Sequence, residues 1–195
     1  MKKIIFLQKI GQLDSSILLK LKKNLKWSFR DFTLSIKILE DDMLLEDSMY
    51  NQTRRQYDAS IVIRRLKTHL KRTQYFRVLG VMDKDIYSSH LNFVFGIAVK
   101  PLRYSFKESI LALISTIRLH ESFYGREEDK SIFEQRVLKE ALHELGHTFG
   151  LGHCNNYCIM RFSNSLKDTD EKPPKFCDTC LKNVNLFLKG LNSIP

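Results

Sequence analysis

No other stretch constrains this chain as much as HELGHTFGLGHC, residues 143–154. Two histidines four residues apart on a helix stand on one face, about 6 Å apart along the axis at roughly 1.5 Å rise per residue, so His143 and His147 can converge on one metal ion. At about 100° per residue, Leu138, Ala141, Leu142, Leu145 and Phe149 form one apolar stripe. His143 and His147 fall nearly opposite it, with Arg136 and Glu140. The apolar stripe takes the core, so the histidines line a cleft. Gly150 supplies the left-handed conformation that ends a helix and reverses the chain. With further freedom at Gly152, the residues after Gly150 suffice to bring His153 back towards the same ion. Three neutral imidazoles leave the fourth tetrahedral position of zinc open to water, as a catalytic site requires. Glu144, beside the first ligand, is the candidate general base: it takes the water's proton and passes it to a leaving amine. Arg136 and Glu140 read as a local i, i+4 ion pair.

All four cysteines follow at once: Cys154, Cys158, Cys177 and Cys180. Two close pairs separated by about twenty residues make a tetrathiolate zinc pattern. The competing reading, two disulfides in one of three pairings, needs an oxidising compartment. The opening MKKIIFLQKIG has an apolar run at residues 4–7 far shorter than a secretory core, so the expectation is a soluble, cytoplasmic protein. His153 and Cys154 are neighbours, so pinning one restricts the other. Residues 155–195 are poor in apolar side chains, and residues 151–195 are expected to form a C-terminal subdomain stapled by zinc, after an N-terminal α/β subdomain at residues 1–150.

Upstream, residues 2–8, 32–40, 75–82 and 91–99 read as strands, and residues 14–25, 59–72 and 131–149 as helices, with Asp58 a cap for the second helix. Residues 41–56 read as a loop, residues 83–90 as a turn, and residues 109–118 suit either strand or helix. A last helix is expected at residues 180–188. A βαβαβ order favours an α/β layer with a mostly parallel sheet, since parallel neighbours need crossovers. The short connection before residues 91–99 suits an antiparallel edge. No apolar run is long enough to span a membrane.

The formal charge of +10 and the basic clusters at residues 20–26 and 64–72 raise the question of nucleic acid. Both clusters are interleaved with apolar residues at helical spacing, which makes them solvated outer helix faces, and a nucleic-acid role would leave three histidines unexplained. His69, His90 and His120 have no metal-like spacing.

The pattern H-E-x-x-H-x-x-G-x-x-H resembles the metzincin zinc signature, which is paired with a methionine turn beneath the metal; Met160, in the tripeptide CIM, stands in that place. With its four cysteines the arrangement resembles the archaemetzincins more narrowly, although this chain has one residue fewer between the first two cysteines and between the methionine and the third. The resemblance implies catalytic zinc on His143, His147 and His153, Glu144 as base, Met160 in the turn, and a structural zinc on Cys154, Cys158, Cys177 and Cys180, hence two zinc ions. It implies a single metzincin-like α/β domain: a mixed, mostly parallel twisted sheet, the histidine helix below it and the zinc-held C-terminal part. It also implies that residues 91–99 form the sheet edge above the cleft, where an extended peptide can add as a strand. The implied function is hydrolysis of peptides or unfolded protein; the alternative is a zinc protein that binds peptides or a partner without turnover.

Overall fold

The computed structural model describes residues 3–70, 75–89, 91–99 and 110–190. In chain order the first elements are β1 (Ile4–Ile10), α1 (Ser15–Ser28), β2 (Ser35–Ile38), β3 (Tyr50–Asn51), β4 (Gln56–Asp58) and α2 (Ala59–His69). They continue with β5 (Arg77–Met82), β6 (Ile86–Tyr87), β7 (Gly96–Ala98), β8 (Ile110–Ser115), α3 (Lys130–Thr148), α4 (Leu166–Glu171) and α5 (Asp178–Lys189). The main sheet runs β2-β1-β5-β8-β7. Its first four strands are parallel, and β7 lies antiparallel on β8, at the edge.

Strand alternation sorts the core into two layers. Ile5, Leu7, Leu79, Val81, Ala112 and Ile114 face α1 and α3, whereas Ile10, Val78, Met82, Leu111 and Leu113 face α2. Gly80 lets that second layer close, because a Cβ there would sit 2.7 Å from Ile10 Cδ1 and 3.2 Å from Leu66 Cδ2. Helices α1, α2 and α3 begin at side-chain caps: Asp14 accepts from the Ser16 amide, Asp58 from Ser60 and Asp129 from Ile132. At the other end of α3, the buried Arg77 donates through Nε to the Thr148 carbonyl at 3.0 Å and lies over the rings of Phe149 and Phe187. Burial pushes its guanidinium down to about 9, so it stays charged at neutral pH and complements the negative end of the helix. No helix among the described residues is long and apolar enough to cross a membrane.

Several elements differ from those the sequence predicts. Residues 41–56 are not all loop, for β3 and β4 pair there, and with β6 from the expected turn they form a second sheet. Residues 109–118 resolve into β8 and a 3₁₀ turn at Ile117–Leu119. The expected edge strand contracts to Gly96–Ala98, and α4 was not anticipated. His90 and the end of the expected second helix lie outside the described residues. Downstream of α3, Ile159, Met160, Val184 and Phe187 are buried in the same apolar cluster as Leu18, Leu25 and Phe149.

Candidate active site

Helix α3 carries its chemistry on the face that meets the cleft, and there His143, Glu144 and His147 are all buried. Both histidines of the helix are fixed from behind. His143 Nδ1 contacts the Ile159 carbonyl at 2.9 Å and His147 Nδ1 the Leu151 carbonyl at 2.8 Å. A carbonyl only accepts, so each Nδ1 carries the proton and each Nε2 presents a lone pair. Those two Nε2 atoms are 3.1 Å apart. Burial pushes His143 down to about 4, which keeps it neutral. Two nitrogens on a tetrahedral zinc lie roughly 3.3 Å apart at Zn–N distances near 2.05 Å, so the donor set fits the ion.

The chain reverses where the glycine predicts. Gly150 has φ of 86° and its amide donates to the His147 carbonyl at 2.9 Å. Leu151 then donates to the Gly146 carbonyl, so the returning strand itself supplies the carbonyl that orients His147. His153 follows, exposed, with its ring 5.4 Å from that of His143 and 5.0 Å from that of His147. The three ligand atoms lie within 4.8 Å of one another. Gly152 does not adopt a left-handed conformation, and a Cβ on it would meet nothing, so the freedom expected there is unused.

Glu144 lies under the sheet edge. A Cβ on Gly96 of β7 would sit 2.7 Å from Glu144 Cγ and 2.9 Å from its Oε1, so only glycine lets the strand approach the carboxyl group this closely. Burial first, and the nearby charge of Glu140 second, push Glu144 well above the usual carboxylate range, against the opposing pull of Lys172.

The four cysteines meet as read. All are free, and their sulfurs lie within 4.8 Å of one another. Cys154 and Cys177 Sγ are 3.8 Å apart, far beyond the ~2.05 Å of a disulfide and close to the roughly 3.8 Å edge of a zinc tetrathiolate. Backbone amides of Met160 and Cys177 donate to Cys158 Sγ at 3.4 and 3.2 Å. Burial pushes Cys177 up, but the Cys180 amide and the Asn156 side chain outweigh it and bring the thiol down to about 6. Such a group is a thiolate at neutral pH, which is the form a metal binds.

The sequence profile of peptidase family M54 matches residues 1–186. The chain belongs to this family. Its relatives include archaemetzincins of Pyrococcus furiosus, 38% identical over 94% of this chain and 93% of that one, and of Nanoarchaeum equitans, 43% identical over 78% and 75%. Among solved structures, the Archaeoglobus fulgidus archaemetzincin, complexed with malonate, superposes with a TM-score of 0.73 at 33% identity over 92% of this chain and 99% of that one. A zinc-dependent peptidase of Methanocorpusculum labreanum gives 0.79 at 28% identity over 93% and 100%. Family membership makes the present chain a zinc metallopeptidase.

In this chain residues 154–160 touch both the cysteine cluster and the histidine cluster. Cys154 and Cys158 join the sulfur cluster, the Ile159 carbonyl holds His143, and Met160 is fully buried beneath α3. Met160 explains Gly146, whose Cβ would sit 2.4 Å from Met160 Sδ and 3.2 Å from Phe176 Cε1. A glycine inside a helix costs about 1 kcal/mol against alanine, and that cost was the signal in the sequence of such a close approach. Gly146→Ala is expected to destabilise by about 1–3 kcal/mol through overpacking. Met160→Val should recover part of that loss, and strict additivity of the two melting shifts would refute the contact.

Two further residues depart from expectation. Arg136 does not pair with Glu140. Its guanidinium makes two bonds of 2.7 Å to Asp170 and a third to the Leu119 carbonyl, whereas Glu140 Oε1 accepts the Thr169 hydroxyl at 3.0 Å and lies 2.9 Å from Lys172 Nζ. Lys139 also donates to the Thr169 and Asp170 carbonyls, so α4 is held on α3 largely by polar contacts. His120 stacks on Phe133 and contacts Glu128 at 2.7 Å, in keeping with a hydrogen-bonded rather than a metal-binding role.

Proposed function

We propose that the chain hydrolyses peptide bonds at a zinc ion held by His143, His147 and His153, with a second zinc on Cys154, Cys158, Cys177 and Cys180, two ions per chain. The observation that carries the reading is the pair of Nε2 atoms 3.1 Å apart, each on a ring whose Nδ1 is turned to a backbone carbonyl, in a cleft of about 420 Å³ that also contains Glu144 and His153. Bound zinc supplies Lewis acidity, lowering the pKa of a water from about 15.7 to about 7 and polarising the scissile carbonyl. Glu144 accepts the proton of the attacking water on a carboxylate oxygen and returns it to the leaving nitrogen. Met160 supports α3 from below and keeps the two helical histidines in register with His153. An extended substrate lies along β7, whose Gly96 places the strand directly over Glu144. Residues 151–195 act as the zinc-stapled part that fixes His153. Four free thiols suit a reducing compartment, and we place the protein in the cytoplasm.

The test is cleavage of a random-peptide library by protein whose metal content is measured alongside, before and after chelation, with zinc or buffer added back. Two zinc ions and cleavage that chelation abolishes and zinc restores are expected. Cleavage indifferent to chelation would overturn the role of zinc, and none with both sites filled would overturn hydrolysis and leave a peptide-binding protein.

A further inference from the structure

The cleft has two unlike linings. Phe93, Phe95 and Ile97 supply an apolar one, and Glu140, Ser163, Asn164 and Lys172 a polar one. Among the described residues, only two buried side-chain polar atoms lack a hydrogen-bond partner, Ser163 Oγ and Lys172 Nζ, and both residues line this cleft. Lys172 is also the only lysine or arginine among the described residues of that lining.

The state of Lys172 is specific. Its side chain is 1% exposed, and its Nζ lies 2.9 Å from Glu140 Oε1 without the alignment of a hydrogen bond. Glu140 therefore compensates the charge, while the N–H donors remain unsatisfied. The Glu140 oxygen is itself fixed by the Thr169 hydroxyl, so the ammonium is held in place. An ammonium offers three donors and a serine hydroxyl one, and both kinds need acceptors. Buried donors left unpaired are costly and uncommon, and two of them at one cleft imply a ligand rich in acceptor oxygens.

We propose that Lys172 and Ser163 form a subsite for a carboxylate, selecting peptides that carry one near the bond that is cut. A carboxylate offers two acceptor oxygens and a charge opposite to that of the ammonium. Its source is an acidic side chain or the C-terminus of the substrate chain. The inference rests on the peptidase reading only in taking the ligand to be a peptide.

The test measures binding in zinc-loaded Glu144→Gln protein, by anisotropy of labelled peptides that differ pairwise: Glu against Gln at each position, and free acid against amide at the C-terminus. At one position, or at the C-terminus, the carboxylate form should bind about tenfold more tightly, the worth of one charge-assisted hydrogen bond. A preference at an internal position identifies the side chain, and one confined to the free acid identifies the chain end. The ratio should fall towards one in the paired Glu140→Gln/Lys172→Met variant, which leaves no lone buried charge, and severalfold in Ser163→Ala, which removes a single oxygen. Ratios near one throughout, no binding by any peptide, or a preference that survives both variants would overturn the subsite. Carboxylate-selective binding without turnover by the parent enzyme would keep the subsite and sink hydrolysis. Turnover without selectivity would do the reverse.

Discussion

Glu144→Gln is expected to lower kcat by about 10²- to 10⁴-fold, the usual contribution of a positioned general base. Glutamine keeps the shape, so the contact with Gly96 that confines the side chain survives. What is lost is the ability to accept a proton. His143 and His147 keep their bonds to the Ile159 and Leu151 carbonyls, so zinc should remain bound, and content measured by mass spectrometry should match the parent protein. An effect smaller than about tenfold, with zinc still in place, would remove Glu144 from the chemistry.

Cys158→Ser should unsettle both centres, although it touches only one. Cys158 is fully buried, and its sulfur accepts the amides of Met160 and Cys177 as well as facing the other thiols. A serine hydroxyl stays protonated near neutral pH and is a poor zinc ligand. A structural zinc site in a small fold contributes about 10–16 kcal/mol, so one ligand of four represents about 3 kcal/mol or more. For a chain of this size that is a fall in Tm of about 6–12 °C. The segment that loosens also carries the Ile159 carbonyl and Met160, so activity should fall too, and limited proteolysis should cut between residues 154 and 180. Two zinc ions, an unchanged Tm and full activity together would refute the coupling.

The site was legible because its signals are local. The 3.6-residue stripe, a glycine at position 150 and ligands at short fixed spacings all report on one helix and the turn after it. The cysteine cluster was legible for the same reason. What was misread depends on distant partners. Arg136 and Glu140 are neighbours along α3, but a local pair of that kind is worth only a few tenths of a kcal/mol, and each has a distant partner instead, Asp170 at 2.7 Å from the Arg136 guanidinium and the buried Lys172 at 2.9 Å from Glu140. The strand expected at residues 32–40 shortened because Phe32 and Leu34 bond within the turn after α1, and pairing with β1 begins at Ser35. Helix α4 has few apolar residues to mark it. Its available sign was the capping box of Ser165 and Asp168. Lys172, in turn, could be placed at the cleft only once α4 was placed on α3.

The double duty of residues 154–160 also sets the order in which the protein can become competent during synthesis. His143, His147 and His153 leave the ribosome before Cys177 and Cys180, yet the carbonyl that orients His143 sits in a loop that packs against the last two cysteines. A nascent chain therefore exposes all three imidazoles while the frame that aims them is still incomplete. If the four cysteines take up the zinc proposed for them, the later pair acts as a latch, so that hydrolysis waits until this region of the polypeptide has been made.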